Sequence, residues 1–137
     1  MKKNICKILL LLLFIPLFLT GCKDKETGIL FNKEPISKEN FLQCSREFEV
    51  GKRIYYLFYT HQELKTDFIR VQLFKADDKV PRGGYTVKWA KDYRVMKNNH
   101  YYFQNHFTVY EEGRYVLQVF DVHSIGKPLA WNYFYIR

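Results

Sequence analysis

"GRYVLQVFDV", Gly113 to Val122, carries the pattern that decides the fold. Tyr115, Leu117 and Val119 alternate with Arg114, Val116, Gln118, Phe120 and Val122, and a two-residue period puts the two sets on opposite sides of an extended chain. The following run, "LAWNYFYIR", sets Ala130, Phe134 and Ile136 against Trp131, Tyr133, Tyr135 and Arg137. In both runs the first set reads as core and the second as an outer face, so Phe120, Trp131, Tyr133 and Tyr135 are expected to form an aromatic patch if the two strands pair. "HYYFQNHFTVY" repeats the theme, with Tyr101, Phe103, Phe107 and Val109 inward and His100, Tyr102, Gln104, His106, Thr108 and Tyr110 outward.

Working outward, four more runs share this chemistry: "FLQCSREFEV" from Phe41, "RIYYLFYT", "FIRVQLFK" and "YTVKWAK". All are rich in Tyr, Phe, Val and Ile, and they are separated by turn-forming stretches such as "GK", "ADDKVPRGG", "EEG" and "HSIGKP". No segment gives a helical stripe, an internal repeat or a low-complexity tract. Seven short strands spaced about ten residues apart predict an all-β, antiparallel β-sandwich. The string "EEGRYVL" sharpens this, although a plain hairpin glycine followed by a core tyrosine gives the same letters. With Glu111, Gly113 and Tyr115 in place, it resembles the strand start of immunoglobulin-like domains, and Leu117 stands where antibody domains carry a disulfide cysteine. The resemblance implies a disulfide-free immunoglobulin-like sandwich of seven to eight strands, in which the Tyr115 hydroxyl ties back to nearby backbone.

The front of the chain is a processing signal. Lys2, Lys3 and Lys7 precede the uncharged, leucine-rich run of twelve residues from Ile8 to Leu19, well short of the roughly 20 needed to span a bilayer. Leu19-Thr20-Gly21-Cys22 resembles the lipobox of bacterial lipoproteins. That resemblance covers residues 1–22 and implies cleavage before Cys22, thioether acylation of its thiol, and a mature protein tied to the membrane by acyl chains. Lys23, with Asp24 one place later, favours the outer membrane on the exported side if the host has one. The organisation expected is a signal peptide over 1–21, an acylated N-terminus and tether over 22–40, and the sandwich over 41–137. Ile29-Leu30-Phe31 could form a first edge strand.

Composition narrows the partners. The full chain has 22 basic and 14 acidic residues, +8 in all, and loss of Lys2, Lys3 and Lys7 with the signal leaves +5. The charges are scattered singly, with no basic run beyond a pair, which argues against nucleic acid and fits mild attraction to anionic envelope surfaces. With Cys6 discarded and Cys22 acylated, only Cys44 remains, so no intramolecular disulfide is possible. Alternation puts Leu42, Cys44, Phe48 and Val50 on one face, with Arg46 intruding. Cys44 then reads as a small buried hydrophobe; an intermolecular bridge or a reactive thiol are the alternatives.

Catalytic and metal chemistry find no support in the sequence. His100 and His106, on one strand, are separated by about 20 Å at 3.3 Å per residue, and His61 and His123 lie near loops. Ser37, Ser45 and Ser124 stand in no nucleophile-elbow context, and "PRGGY" precedes a strand and so makes no phosphate cradle. No cofactor is expected. The expected function is a non-enzymatic, membrane-anchored module that binds an envelope protein through Tyr102, Tyr110, Phe120, Trp131, Tyr133 and Tyr135, because aromatics with polar rims recur at such interfaces. The alternative is a carbohydrate or cell-wall module that stacks sugars on Trp131, Tyr133 and Tyr102.

Overall fold

The computed structural model describes residues 26–81, 83–97 and 99–137. The signal segment, Cys6, the acylation candidate Cys22 and the Lys23-Asp24 pair lie outside the described residues. Eight strands follow one another: β1 (Gly28–Asn32), β2 (Glu47–Phe48), β3 (Arg53–Tyr59), β4 (Phe68–Ala76), β5 (Tyr85–Arg94), β6 (Tyr102–Thr108), β7 (Gly113–Asp121) and β8 (Ala130–Ile136). They form a three-stranded sheet in the order β1-β3-β6 and a five-stranded sheet in the order β2-β8-β7-β4-β5. All pairings are antiparallel except that of the two-residue β2, which runs parallel to β8. The architecture is the immunoglobulin-like β-sandwich that the strand pattern predicts.

Alternation explains which side of each strand is buried. In β3 the residues Ile54, Tyr56 and Phe58 point into the core, and in β4 Ile69, Val71 and Leu73 do the same from the opposite sheet. Each fully buried side chain of this size stabilises the fold by about 1.5–3 kcal/mol. Phe134 of β8 joins the layers. Its ring stacks on Tyr115 at 5.5 Å and meets Phe31 of β1 at 4.9 Å and Phe107 of β6 at 5.6 Å. Asn132 adds a polar tie between the sheets, its side-chain amide donating to the Ile29 carbonyl at 2.7 Å.

The "EEGRYVL" string performs as its resemblance implies. The Tyr115 hydroxyl donates to the Glu111 carbonyl at 2.9 Å, forming a tyrosine corner at the start of β7. Gly113 has φ +140°, a conformation that L side chains rarely adopt, so the backbone rather than the space beside the flexible Lys75 side chain selects glycine there. The Glu111 carboxylate takes hydrogen bonds from Lys75 at 2.8 Å and Lys88 at 2.9 Å. These two ammonium groups pull its pKa down to about 2.

The sandwich begins earlier than position 41. Ile29 and Phe31 sit in the core, so β1 belongs to the domain although it lies in the stretch expected to be tether. Conversely, "FLQCSREFEV" is not one strand. Phe41–Gln43 is a turn of 3₁₀ helix, and regular pairing is limited to Glu47 and Phe48. Only Phe48 of the expected apolar face is buried; Leu42 and Val50 are exposed. Cys44 is half-buried and free, and its thiol donates to the Phe41 carbonyl at 2.9 Å. The competing interactions are local: Asn40 accepts from Ser37 N–H and donates to the Pro35 carbonyl, closing a turn that alternation cannot anticipate.

Two tyrosines separate the contributions of burial and hydrogen bonding. Tyr115→Phe removes the corner bond and is expected to lower unfolding stability by about 1 kcal/mol. The buried Tyr56 hydroxyl faces the Tyr93 side chain without a well-formed hydrogen bond among the described residues, and burial, with Tyr93 beside it, pushes its ionisation far upward. Tyr56→Phe is therefore expected to be neutral or stabilising, as read from urea denaturation midpoints of the two variants side by side. Glu111 supplies a pH test. Its folded pKa is depressed, so its contribution is present above the unfolded value near 4.5 and is lost as pH falls toward about 2. Glu111→Gln should flatten the acid limb of thermal stability within that window and leave the profile above pH 6 unchanged in shape.

Candidate binding face

Cross-strand register builds the outer surface of the five-stranded sheet. Val87 of β5, Phe74 of β4, Val116 of β7 and Tyr133 of β8 line up in one row. Ala90, Gln72, Gln118 and Trp131 form the next. At the usual strand spacing each row spans about 15 Å. Trp131 is 60% exposed, and between it and Tyr85 runs a concavity of about 420 Å³ floored by Phe74, Val116 and Gln118.

Arginine–tyrosine pairs border this apolar strip on two sides. Arg46 stacks over Tyr133 with its guanidinium carbon 4.4 Å from the ring centre, and donates to the hydroxyl at 2.7 Å. Arg114 lies 5.6 Å over the Tyr85 ring and donates to its hydroxyl at 2.9 Å. Stacked guanidinium groups hold large rings in fixed orientations and keep a cation at the rim. Tyr135 follows Tyr133 on the same face of β8, in register with Arg114, and its ring meets that of Tyr133 edge-on at 5.9 Å. Farther along, Arg70 forms a two-pronged bond to Asp92 at 2.7 and 2.9 Å and holds that carboxyl below the usual range.

The structure divides the six candidate residues. Trp131, Tyr133 and Tyr135 share the outer face of β8, as alternation predicts. Phe120 points to the same side but is only 6% exposed. It lies on a central strand between Arg70 in register on β4 and the returning chain, where Leu129 N–H bonds the Val119 carbonyl. Tyr102 belongs to β6 and faces outward from the other sheet, opposite Tyr59, so it cannot join Trp131 in one platform. Tyr110 is exposed in the turn after β6, beside Gly51.

Val87, Phe74 and Tyr85 complete the face and were not among the residues the sequence singled out. For Val87 the reason is a bulge in β5: Leu73 pairs with Trp89 but Phe74 pairs with Val87, leaving Lys88 unpaired. The extra residue reverses the side of the strand, so Val87 faces out while Trp89 packs on Phe107 at 5.7 Å.

The histidines lie apart. His100 sits beside Glu63 at 3.7 Å and Asp67 at 3.8 Å, whereas His106 lies against the Tyr55 ring on β3. Among the described residues no group of three or more His, Cys, Asp or Glu side chains is arranged so that it could hold a metal ion.

No protein-family model and no curated protein matches this chain. Among solved structures it is similar to the soluble domain of PmoD from Methylocystis sp. ATCC 49242 (Rockwell), with a TM-score of 0.51 at 12% identity over 83% of this chain and 93% of that one. An immunoglobulin-like protein from Pseudomonas aeruginosa matches with a TM-score of 0.48 at 18% identity, over 82% of this chain and 90% of that one. A β-glucosidase from Kluyveromyces marxianus matches at 0.42 and 10% identity, over 83% of this chain but only 15% of the enzyme. At these identities the likeness is one of fold. Sheet order and tyrosine corner define the class: an immunoglobulin-like sandwich domain.

Burial separates support from surface. Trp131→Ala is expected to change unfolding stability by no more than about 0.5 kcal/mol, whereas Phe120→Ala should cost about 3 kcal/mol or more through the cavity it leaves. Chemical denaturation of both variants checks this; equal losses would return Phe120 to the exposed patch.

Proposed function

We propose that the protein is a lipid-anchored component of the bacterial cell envelope whose immunoglobulin-like domain is a non-enzymatic module that binds another envelope protein. The observation that carries this reading is the outer strip of Val87, Phe74 and Tyr133, floored by the nearly buried Val116, with Trp131 beside it and two arginine–tyrosine pairs at its border. An apolar centre holding Trp and Tyr, with Arg at the rim, is the composition of protein interfaces, and such residues supply most of their binding energy. Anchoring rests on the lipobox and Cys22, and Lys23 favours the outer membrane over the cell membrane where the host has both. A single sugar platform of Trp131, Tyr133 and Tyr102 together is not formed, because Tyr102 stands on the opposite sheet.

The test is in-cell crosslinking and recovery of the tagged full chain from the host envelope, with fatty-acid labelling in parallel. The wild type should carry label and bring down one stoichiometric protein. Cys22→Ser should lose the label and accumulate as precursor, since serine cannot form the thioether. Trp131→Ala and Val87→Asp should keep the label and lose the partner about tenfold or more. Full recovery of the partner with both face variants would overturn the assignment of the face, and an unlabelled wild type would overturn the anchor.

A further inference from the structure

The opposite side of the sandwich carries a second apolar surface. On the outer face of the three-stranded sheet, Leu30, Leu57 and Tyr102 floor an open groove of about 750 Å³, walled by Ile36, Phe41 and Leu42 from the segment after β1. The wall is fastened in place. With its amide oriented to match donors with acceptors, Gln104 of β6 donates to the Ile36 carbonyl at 3.1 Å and accepts from its N–H at 3.0 Å. Leu42 is nonetheless 84% exposed, and Phe41, Tyr101 and Tyr102 are each about half exposed. Met96, in the turn that leads to Tyr101, is also exposed. A fixed wall that leaves Leu42 and half of Phe41 in solvent is a surface awaiting cover.

Chain connectivity says what covers it. Glu26 is the first described residue and itself rims the groove. Three residues, and so four residue steps, separate it from Cys22, a distance of at most about 14 Å in a fully extended chain. Because β1 begins at Gly28, the stretch between Cys22 and the domain is short, so acyl chains on Cys22 would hold the groove within that reach of the bilayer surface. Tyrosines with an aliphatic neighbour and a lysine at the rim, here Lys38, suit the headgroup boundary, where one end of the ring is apolar and the other wet.

We propose that this groove face is a membrane-docking surface, with Phe41, Leu42 and Tyr101 seated at the headgroup level of the bilayer that holds the Cys22 acyl chains. The proposal rests on the lipid-anchored reading above and adds an orientation to it. The three-stranded sheet lies toward the bilayer, and the Trp131 face is turned away from it and free for a partner.

The test uses the full chain with Cys44→Ala, purified from host membranes and reconstituted in phosphatidylcholine–phosphatidylglycerol vesicles. An environment-sensitive fluorophore is placed at Leu42→Cys, Tyr101→Cys or, on the far turn between β4 and β5, Asp78→Cys. Fatty-acid labelling of each preparation reports the anchor separately. With the anchor labelled, nitroxide lipids carrying the spin near the headgroup should quench positions 42 and 101 about twofold or more and leave 78 unchanged, as expected for insertion about 5–10 Å deep. A labelled protein unquenched at 42 and 101 overturns the docking surface while the anchor stands. Blue-shifted but unquenched emission there would show a protein, or a second copy of this chain, in the groove and would also overturn it. Equal quenching at 78 overturns the orientation, and a chain without acyl label overturns the proposal together with the anchor.

Discussion

Phe134 is the contact on which the sandwich depends. Packing two small sheets face to face without a disulfide requires side chains that reach across the roughly 10 Å gap and fill it. Phe134 contacts Tyr115 within its own sheet and Phe31 and Phe107 from the other, while Phe48 closes the cluster edge-on at 6.0 Å. Tilted and offset rings add about 0.5–1.5 kcal/mol per pair beyond burial. Where antibody domains place a cysteine, Leu117 is fully buried, so aromatic and aliphatic packing does the joining. This is consistent with a chain whose described thiol, Cys44, is single and unpaired.

Around that cluster, one turn coordinates three strands. Glu111 uses its carbonyl to hold Tyr115 of β7 and its carboxylate to hold Lys75 of β4 and Lys88 of β5. The ion pairs are exposed and individually weak. Their value is positional, because they tie the unpaired residue of the β5 bulge to the corner that starts β7. The bulge in turn sends Trp89 inward toward Phe107 and leaves Val87 on the surface. A single inserted residue thus serves both the core and the candidate binding face.

The two outer faces differ in how they are built. On the five-stranded sheet, rows set by register and rings clamped by Arg46 and Arg114 give a broad and rigid surface, suited to a folded partner. On the three-stranded sheet, a segment with little regular structure is pinned over β6 by Gln104 and presents Phe41 and Leu42 at the side from which the chain arrives. Lying on opposite sides of one sandwich, the faces can be occupied together.

Much of this was legible in the sequence. Period-two alternation correctly assigned the buried and exposed sides of β8 and the core residues of β7, and "EEGRYVL" contained the tyrosine corner, because these depend on local geometry and on neighbours a few residues away. Alternation, however, reports only on which side of its own strand a residue lies. It cannot say which sheet the strand joins, so Tyr102 was grouped with Trp131. Nor can it say what passes over a residue such as Phe120, or where a bulge reverses the count, as it does at Val87. Leu42 and Cys44 left their expected strand because turn bonds of Ser37 and Asn40 outweighed a short apolar pattern. Sheet membership, cover and register come from contacts between residues far apart in the chain, and only the tertiary structure brings those together.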